Sequence, residues 1–337
     1  MEKGKSTNGL MKHIRDKHNI QIKGSKHKTD LLNMGYYHGY KRFRFIKDVS
    51  SNQNFTNFDQ IKAIHKFDTA VKALIYPLIT QVETGLKNRT IDYLVTNSNP
   101  DIEAIFRDWL NGYKDYHKIN DYKKYRQRLK ERLDLRQNID ETIAYYYGKN
   151  DSLSHFIHNS RPIPLWGFFE AISFGQYGHF LSALNKDDRL NLCDFIGLTH
   201  SGLNAEGRLL EQIVFALTGL RNATMHNAPV YDANFNKETP PKKLKTFLNG
   251  KLQITISFDT IIDYIILLLY MMRLQGYSKR ELKIYISNFR KIKDVLYQSV
   301  PKSTFDKIVG ANSIQKLEKL ENILSNQKPW FAYMFLL

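Results

Sequence analysis

Between Phe58 and Val95 the apolar residues Ile61, Ile64, Phe67, Val71, Leu74, Leu78, Val82 and Leu86 follow one another at steps of three and four. That spacing puts them on one face of a long helix. A stripe of this length needs other helices to cover it from end to end, so it selects a helical bundle. Pro77 falls inside the run and is expected to kink or divide it, because proline removes a backbone donor and crowds the preceding turn.

The same period recurs downstream. Helices are expected over Asp101 to Gly112, Asn120 to Tyr147 and from Pro164 toward Leu184. Between Asn204 and Met225, Leu209, Leu210, Ile213, Val214, Leu217 and Leu220 mark a helix buried on one side. A polar stretch, Asn227 to Gly250, reads as an extended proline-containing loop. Leu252 to Phe258 alternates well enough for a short strand. Asp259 is then expected to cap an apolar helix over Ile261 to Met272, and helices follow near 278–297, 303–309 and 313–325. The chain ends in the apolar run WFAYMFLL. The fold class is all-α, with at most a short strand.

The charge balance restricts the partners. Lys and Arg number 50 against 33 Asp and Glu, a formal net charge of +17, which sets up a positive field that favours phosphate-rich ligands such as nucleic acid. An anionic membrane surface competes as an explanation, but the cations recur along the whole chain, mixed with tyrosine, instead of loading one amphipathic helix. Tyr36, Tyr37 and Tyr40 interleave with Lys41, Arg42 and Arg44, the pattern of an RNA stacking surface or of core tyrosines beside snorkelling cations. Lys123, Lys124, Arg126 and Arg128 open the helix KKYRQRLKERLDLRQ and form a second RNA-binding candidate.

Several classes drop out. Cys193 is the only cysteine, so a disulfide framework, a cysteine zinc site and a thiol redox pair are excluded. HIRDKH at His13 to His18 has no cysteine partners, and no metal or cofactor is expected. A charged start, MEKGKSTNGLMKHIRDKH, has no signal-peptide core, and Ile261 to Met272 is too short to span a bilayer, so a cytoplasmic, non-membrane protein is expected. No phosphate-binding glycine loop, HExxH or GxSxG occurs.

What remains is GLRNATMHNAPV, residues 219 to 230. Arg221 and His226 are separated by four residues at the end of an apolar helix. Five steps rotate a side chain about 140° beyond a full turn, so the two share no face of an unbroken helix. Asn227 suits a left-handed capping position and Pro229 cannot extend the ladder, so the helix is expected to stop here and release His226. Histidine exchanges protons near neutral pH and arginine holds phosphate oxygens as charge develops, a pair suited to RNA cleavage with the ribose 2′-hydroxyl as nucleophile. Asn222 is placed to orient either one. Glu170 is a candidate carboxylate to fix the Arg221 fork, or else a structural ion pair. Read blandly, His226 merely caps a helix.

LRNATMHN resembles the R-x4-H motif of HEPN ribonucleases, in which a polar residue usually follows the arginine, as Asn222 does. A larger part of the chain is similar to the Abi family of bacterial abortive-infection proteins of the AbiD and AbiF type. The resemblance is carried by LLNMGYYHGYKRFRF at Leu31 to Phe45, by the long segment Phe58 to Arg89, by PLWGFFEAISFGQYGHFL at Pro164 to Leu181, and by LRN…H. His38 stands where the family tends to have arginine.

The resemblance implies a HEPN-like helical core over residues 51–250, an N-terminal basic aromatic segment over 1–50 and a C-terminal helical extension over 251–337. It also implies an RNase toxin of anti-phage defence, restrained by a small noncoding RNA and acting on a target RNA. A homodimer would complete a site that pairs two such motifs, with Arg221, His226 and Asn222 as its catalytic residues. Two other readings stay open: a noncatalytic RNA-binding protein, and a protein-interaction sensor of infection.

Overall fold

The computed structural model describes residues 4–52, 55–198, 202–236 and 239–326, and the apolar end 330–337 lies outside them. Helices α1 (Thr7–His18) and α2 (Gly24–Met34) lead into a π-helical turn, Tyr36–Lys41. An antiparallel hairpin of β1 (Phe45–Ile46) and β2 (Asp48–Asn52) comes next. Then α3 (Phe58–Asn97) runs for 40 residues, about 60 Å at the α-helical rise. Asn57 starts it with a capping box: its Oδ1 accepts from the Asp59 N–H at 2.9 Å, and Gln60 Oε1 accepts from the Asn57 N–H at 3.3 Å.

Pro77 does not divide α3. The flanking Leu74, Ile75, Leu78 and Ile79 are all buried. At about 1.5–3 kcal/mol per buried side chain, their packing outweighs the roughly 3 kcal/mol that an interior proline costs.

Four helices follow: α4 (Ile102–Asp108), α5 (Lys114–Lys118), α6 (Tyr122–Tyr146) and α7 (Asp151–His158). The single helix expected from Pro164 is two, α8 (Leu165–Ala171) and α9 (Phe174–Ala183), because Ser173 and Gln176 form a new capping box between them. After α10 (Lys186–Ile196) comes α11 (Leu209–Met225), which packs on α3 and α9. The polar stretch read as loop contains a helix, α12 (Lys242–Leu252), whose Leu244, Phe247, Leu248 and Leu252 are buried at helical spacing.

The strand expected over 252–258 does not form. Leu252 closes α12, and Ile254, Ile256 and Phe258 are buried alternately, as a strand would bury them. Among the described residues no neighbouring strand lies there to take their backbone groups. Instead Asn249 Oδ1 accepts from the Ile256 N–H at 2.7 Å, and Asp263 Oδ2 accepts from the N–H groups of Ser257 and Phe258 at 3.0 and 2.9 Å.

Asp263 belongs to α13 (Ile261–Leu274), which is buried from Ile261 through Arg273 and lies against α3. Thr260, not Asp259, occupies the N-cap of α13, with no side-chain capping bond. The remaining helices are α14 (Lys279–Ser299), α15 (Lys302–Ile308) and α16 (Ser313–Asn326), and Lys316 of α16 pairs with Asp263. One hydrophobic cluster runs from Met11 to Leu324 with α3 and α13 at its centre. Among the described residues no helix is long and apolar enough to cross a membrane.

The π-helical turn depends on two glycines. Gly35 has φ 76°, and a Cβ on Gly39 would lie 2.2 Å from the Met34 carbonyl oxygen. This close approach drives Tyr40 into the core, where its hydroxyl is hydrogen-bonded to His18 Nδ1 at 2.7 Å. Burial, reinforced by the charges of Arg44, His13 and Lys41, holds the His18 imidazole down to about 4.

A ring that stays neutral when folded, yet takes a proton near 6.5 when unfolded, adds stability that is complete above about pH 6.5. That stability drains away as pH falls toward about 4. Thermal melts are therefore expected to lose more Tm across this interval in the wild-type chain than in His18→Gln. Equal slopes would refute the linkage.

Candidate functional site

α11 ends in a Schellman turn. Asn227 takes φ 54°, the Ala228 N–H donates to the Ala223 carbonyl at 2.8 Å, and the Asn227 N–H donates to that of Thr224 at 3.4 Å. His226 is thereby set at the C-cap, exposed, and its ring hydrogen-bonds to no described residue. The helix is intact through Met225, so Arg221 and His226 project about 140° apart around it. No hydrogen bond joins them.

α3 pins the turn from outside. Lys72 Nζ donates to Asn227 Oδ1 at 2.6 Å and forms an ion pair with Asp68 at 2.8 Å. Asp68, fully buried, accepts from the N–H groups of Val230 and Tyr231 at 2.6 and 2.9 Å. Burial pushes its carboxyl up, against the pull of Lys72 and the two N–H groups. The Tyr231 hydroxyl then donates to the carbonyls of Arg42 and Phe45, and the Lys47 N–H donates to Asp232 Oδ2 at 3.1 Å. The basic aromatic segment is in this way tied directly to the loop that follows His226.

Arg221 also answers to α3. Its Nε donates to Glu83 Oε2 at 3.3 Å and its Nη1 to Asn222 Oδ1 at 3.4 Å. Glu83 Oε1 accepts from Lys87 Nζ at 3.0 Å, and Lys87 Nζ reaches the Ile172 carbonyl at 2.7 Å. The carboxylate that fixes the Arg221 fork is therefore Glu83, not Glu170. Glu170 is exposed on α8 and lines the same cavity, about 360 Å³ between α3, α8 and α11, together with Lys87, Asn88, Trp166 and Arg221.

Glu83, Lys87, Asp68 and Lys72 were not singled out by sequence reasoning. A signal was present, because Asp68 is an acid within the apolar stripe of α3, and each acid precedes its lysine by four residues.

The stacking candidates separate by burial. Tyr40 has no exposure, so its ring has no face for a base, and Tyr36 stacks on it at 5.5 Å. Tyr37 is exposed with Lys41 Nζ 5.5 Å from its ring centre. Arg42 is exposed, and Arg44 lies over the Phe45 ring at 4.9 Å.

On α6, Lys123 and Arg126 are exposed and form no ion pair among the described residues, whereas Lys124 meets Asp121 at 3.4 Å and Arg128 meets Glu131 at 2.7 Å. Further along, Arg132 donates to the carbonyls of Leu110 and Phe106, which docks α6 on the α4–α5 connection. No group of three or more His, Cys, Asp or Glu among the described residues is arranged to hold a metal ion.

A family model described as Abi-like protein matches residues 29–232. The match takes in the π-helical turn, all of α3, the α8–α9 block, α11 and the pinned turn after it, which is more than half of the chain. The protein belongs to the Abi-like family. Membership places it with abortive-infection proteins of anti-phage defence. No curated protein and no solved structure matches the chain. In this Abi-like protein the matched region ends at Asp232, immediately past Asp68's two backbone partners, so the family segment closes where the site does.

Proposed function

We propose that this Abi-like protein is an RNA-binding, metal-independent endoribonuclease of the HEPN type, restrained by a small noncoding RNA until infection directs it to target RNA. One observation carries the reading. Glu83 holds Arg221 in place, while the ring of His226, five residues on, is displayed at the end of the same helix with no hydrogen bond among the described residues.

In the reaction, the ribose O2′ attacks the adjacent phosphorus, the P–O5′ bond breaks, and the departing O5′ takes a proton. Arg221 binds the nonbridging oxygens as their charge grows. His226 accepts the 2′-hydroxyl proton or supplies the one that O5′ needs. A homodimer brings a second His226, so that one ring acts as base while the other acts as acid. Exposed cations, Lys41, Arg42, Lys123 and Arg126 among them, support backbone binding with steep salt dependence.

The test is the chemistry of the ends. Purified protein freed of bound RNA is expected to leave a 2′,3′-cyclic phosphate and a 5′-hydroxyl in the presence of EDTA, and sequencing of the RNA that copurifies is expected to return one discrete small species. Products ending in 3′-hydroxyl and 5′-phosphate, or activity that chelation removes, would overturn the mechanism.

A further inference from the structure

The cavity beside Arg221 has two chemically different walls. On one side Glu83 is shared between Arg221 and Lys87, so its charge is already matched. Nη2 of Arg221 makes no hydrogen bond among the described residues and remains for a phosphate oxygen.

On the other side stands Trp166, 44% exposed. It sits at the start of α8, whose first turn is anchored by the Leu165 N–H donating to the Pro100 carbonyl at 2.7 Å and by the buried Leu165, Phe168 and Phe169. The indole is therefore held out by a rigid helix and not by a loose loop. Glu170 follows Trp166 by four residues on α8, which places its carboxylate one turn above the indole on the same face. Both line the cavity, and Glu170 has no hydrogen bond or ion pair among the described residues. Asn88 of α3 lines the same cavity with an exposed amide that makes no hydrogen bond among the described residues.

An unmatched carboxylate in an RNA site repels phosphate, unless what it meets is a set of donors. Of the four RNA bases, guanine alone presents two adjacent donors on its Watson–Crick edge, N1–H and the N2 amino group, and a carboxylate is an acceptor through both oxygens. An aromatic face supplies the stacking that holds a splayed base. We infer that Trp166 and Glu170 form a guanine subsite for single-stranded RNA, with the indole stacking the base, Glu170 accepting from its N1–H and N2–H, and Arg221 holding a phosphate of the same strand.

This deepens the RNA-cleavage reading and rests on its RNA-binding half. It makes Trp166 and Glu170 specificity-determining residues.

The test is made in the His226→Ala background, so that the RNA stays whole. Affinities are measured for short fluorescent oligouridylates carrying a single guanine, adenine or cytosine. The guanine oligonucleotide is expected to bind about tenfold more tightly than the others, as two hydrogen bonds to a charged acceptor allow. Glu170→Gln is expected to bring all of them within about twofold of one another. Trp166→Ala should weaken every oligonucleotide by about tenfold or more, and Trp166→Phe should restore most of that loss, which a merely structural role for the indole would not produce.

A guanine preference that survives Glu170→Gln, or affinities unmoved by Trp166→Ala, overturns the subsite. If no oligonucleotide binds, the subsite and the RNA reading fall together. If the expected pattern appears while the wild-type chain cleaves nothing, the subsite stands and the nuclease reading alone fails.

Discussion

His226→Ala is expected to lower RNA cleavage by at least 10²-fold, and by up to about 10⁴-fold, with RNA affinity and Tm essentially unchanged. The separation of effects follows from the geometry. The ring is exposed at the C-cap of α11 and bonded to no described residue, so its removal leaves no buried group unpaired and costs within about 0.5 kcal/mol of stability. The turn itself is held by backbone bonds to Ala223 and Thr224 and by Lys72 on Asn227, none of which uses the imidazole. Single-turnover cleavage of a labelled RNA, a binding isotherm and a thermal melt check the three parts separately. Wild-type cleavage by the variant would remove His226 from the chemistry, whereas binding with no cleavage by the wild-type chain would leave a protein that binds RNA without cutting it. Weak binding that salt hardly changes would favour a protein-interaction sensor instead.

Asp68→Ala is expected to do the opposite and damage everything at once. Its carboxylate is the acceptor for the Val230 and Tyr231 N–H groups and the counter-ion of Lys72, whose side chain is only 13% exposed. Truncation leaves two buried donors without an acceptor and deprives the Lys72 ammonium of its counter-ion, a cost of about 3 kcal/mol. At about 2 °C per kcal/mol for a chain of this size, Tm falls by roughly 6 °C. Because Tyr231 clasps the Arg42 and Phe45 carbonyls, the loss spreads to the basic segment, and both cleavage and RNA affinity are expected to drop. Asp68→Asn keeps an amide oxygen for the two N–H groups and is expected to recover at least half of the lost Tm. A melt of Asp68→Ala that coincides with wild type would show that the turn needs no such anchor.

Much of the architecture was readable along the chain. Periodic apolar positions located α3 and α11, and Asn227 with Pro229 located the end of α11 to the residue, because a left-handed cap and a missing donor act within a few residues of where they occur. The family resemblance, too, rested on residues inside the segment 29–232 that the family model covers. Local signals misled where burial was right but pairing was wrong. Ile254, Ile256 and Phe258 are buried alternately as a strand would bury them, yet their backbone is satisfied by Asn249 and Asp263, and nothing local announces side chains that substitute for a neighbouring strand.

The candidate site divides along the same line. Its chemical vocabulary, a guanidinium and an imidazole with four residues between them and cations and tyrosines elsewhere, is a property of residue types and short spacings, and one dimension carries it. Which carboxylate holds Arg221, which lysine seats Asn227, and which tyrosine still has a free face are set by contacts spanning 138, 155 and 22 residues, respectively, the last of these being the Tyr40 bond to His18. Glu83 and Glu170 are equivalent carboxylates until α3 and α8 are packed around α11; then one is within reach of the guanidinium and the other looks across an open cavity. Packing makes that choice, because ion pairs and hydrogen bonds act over a few ångströms while the residues that form them are scattered along the chain.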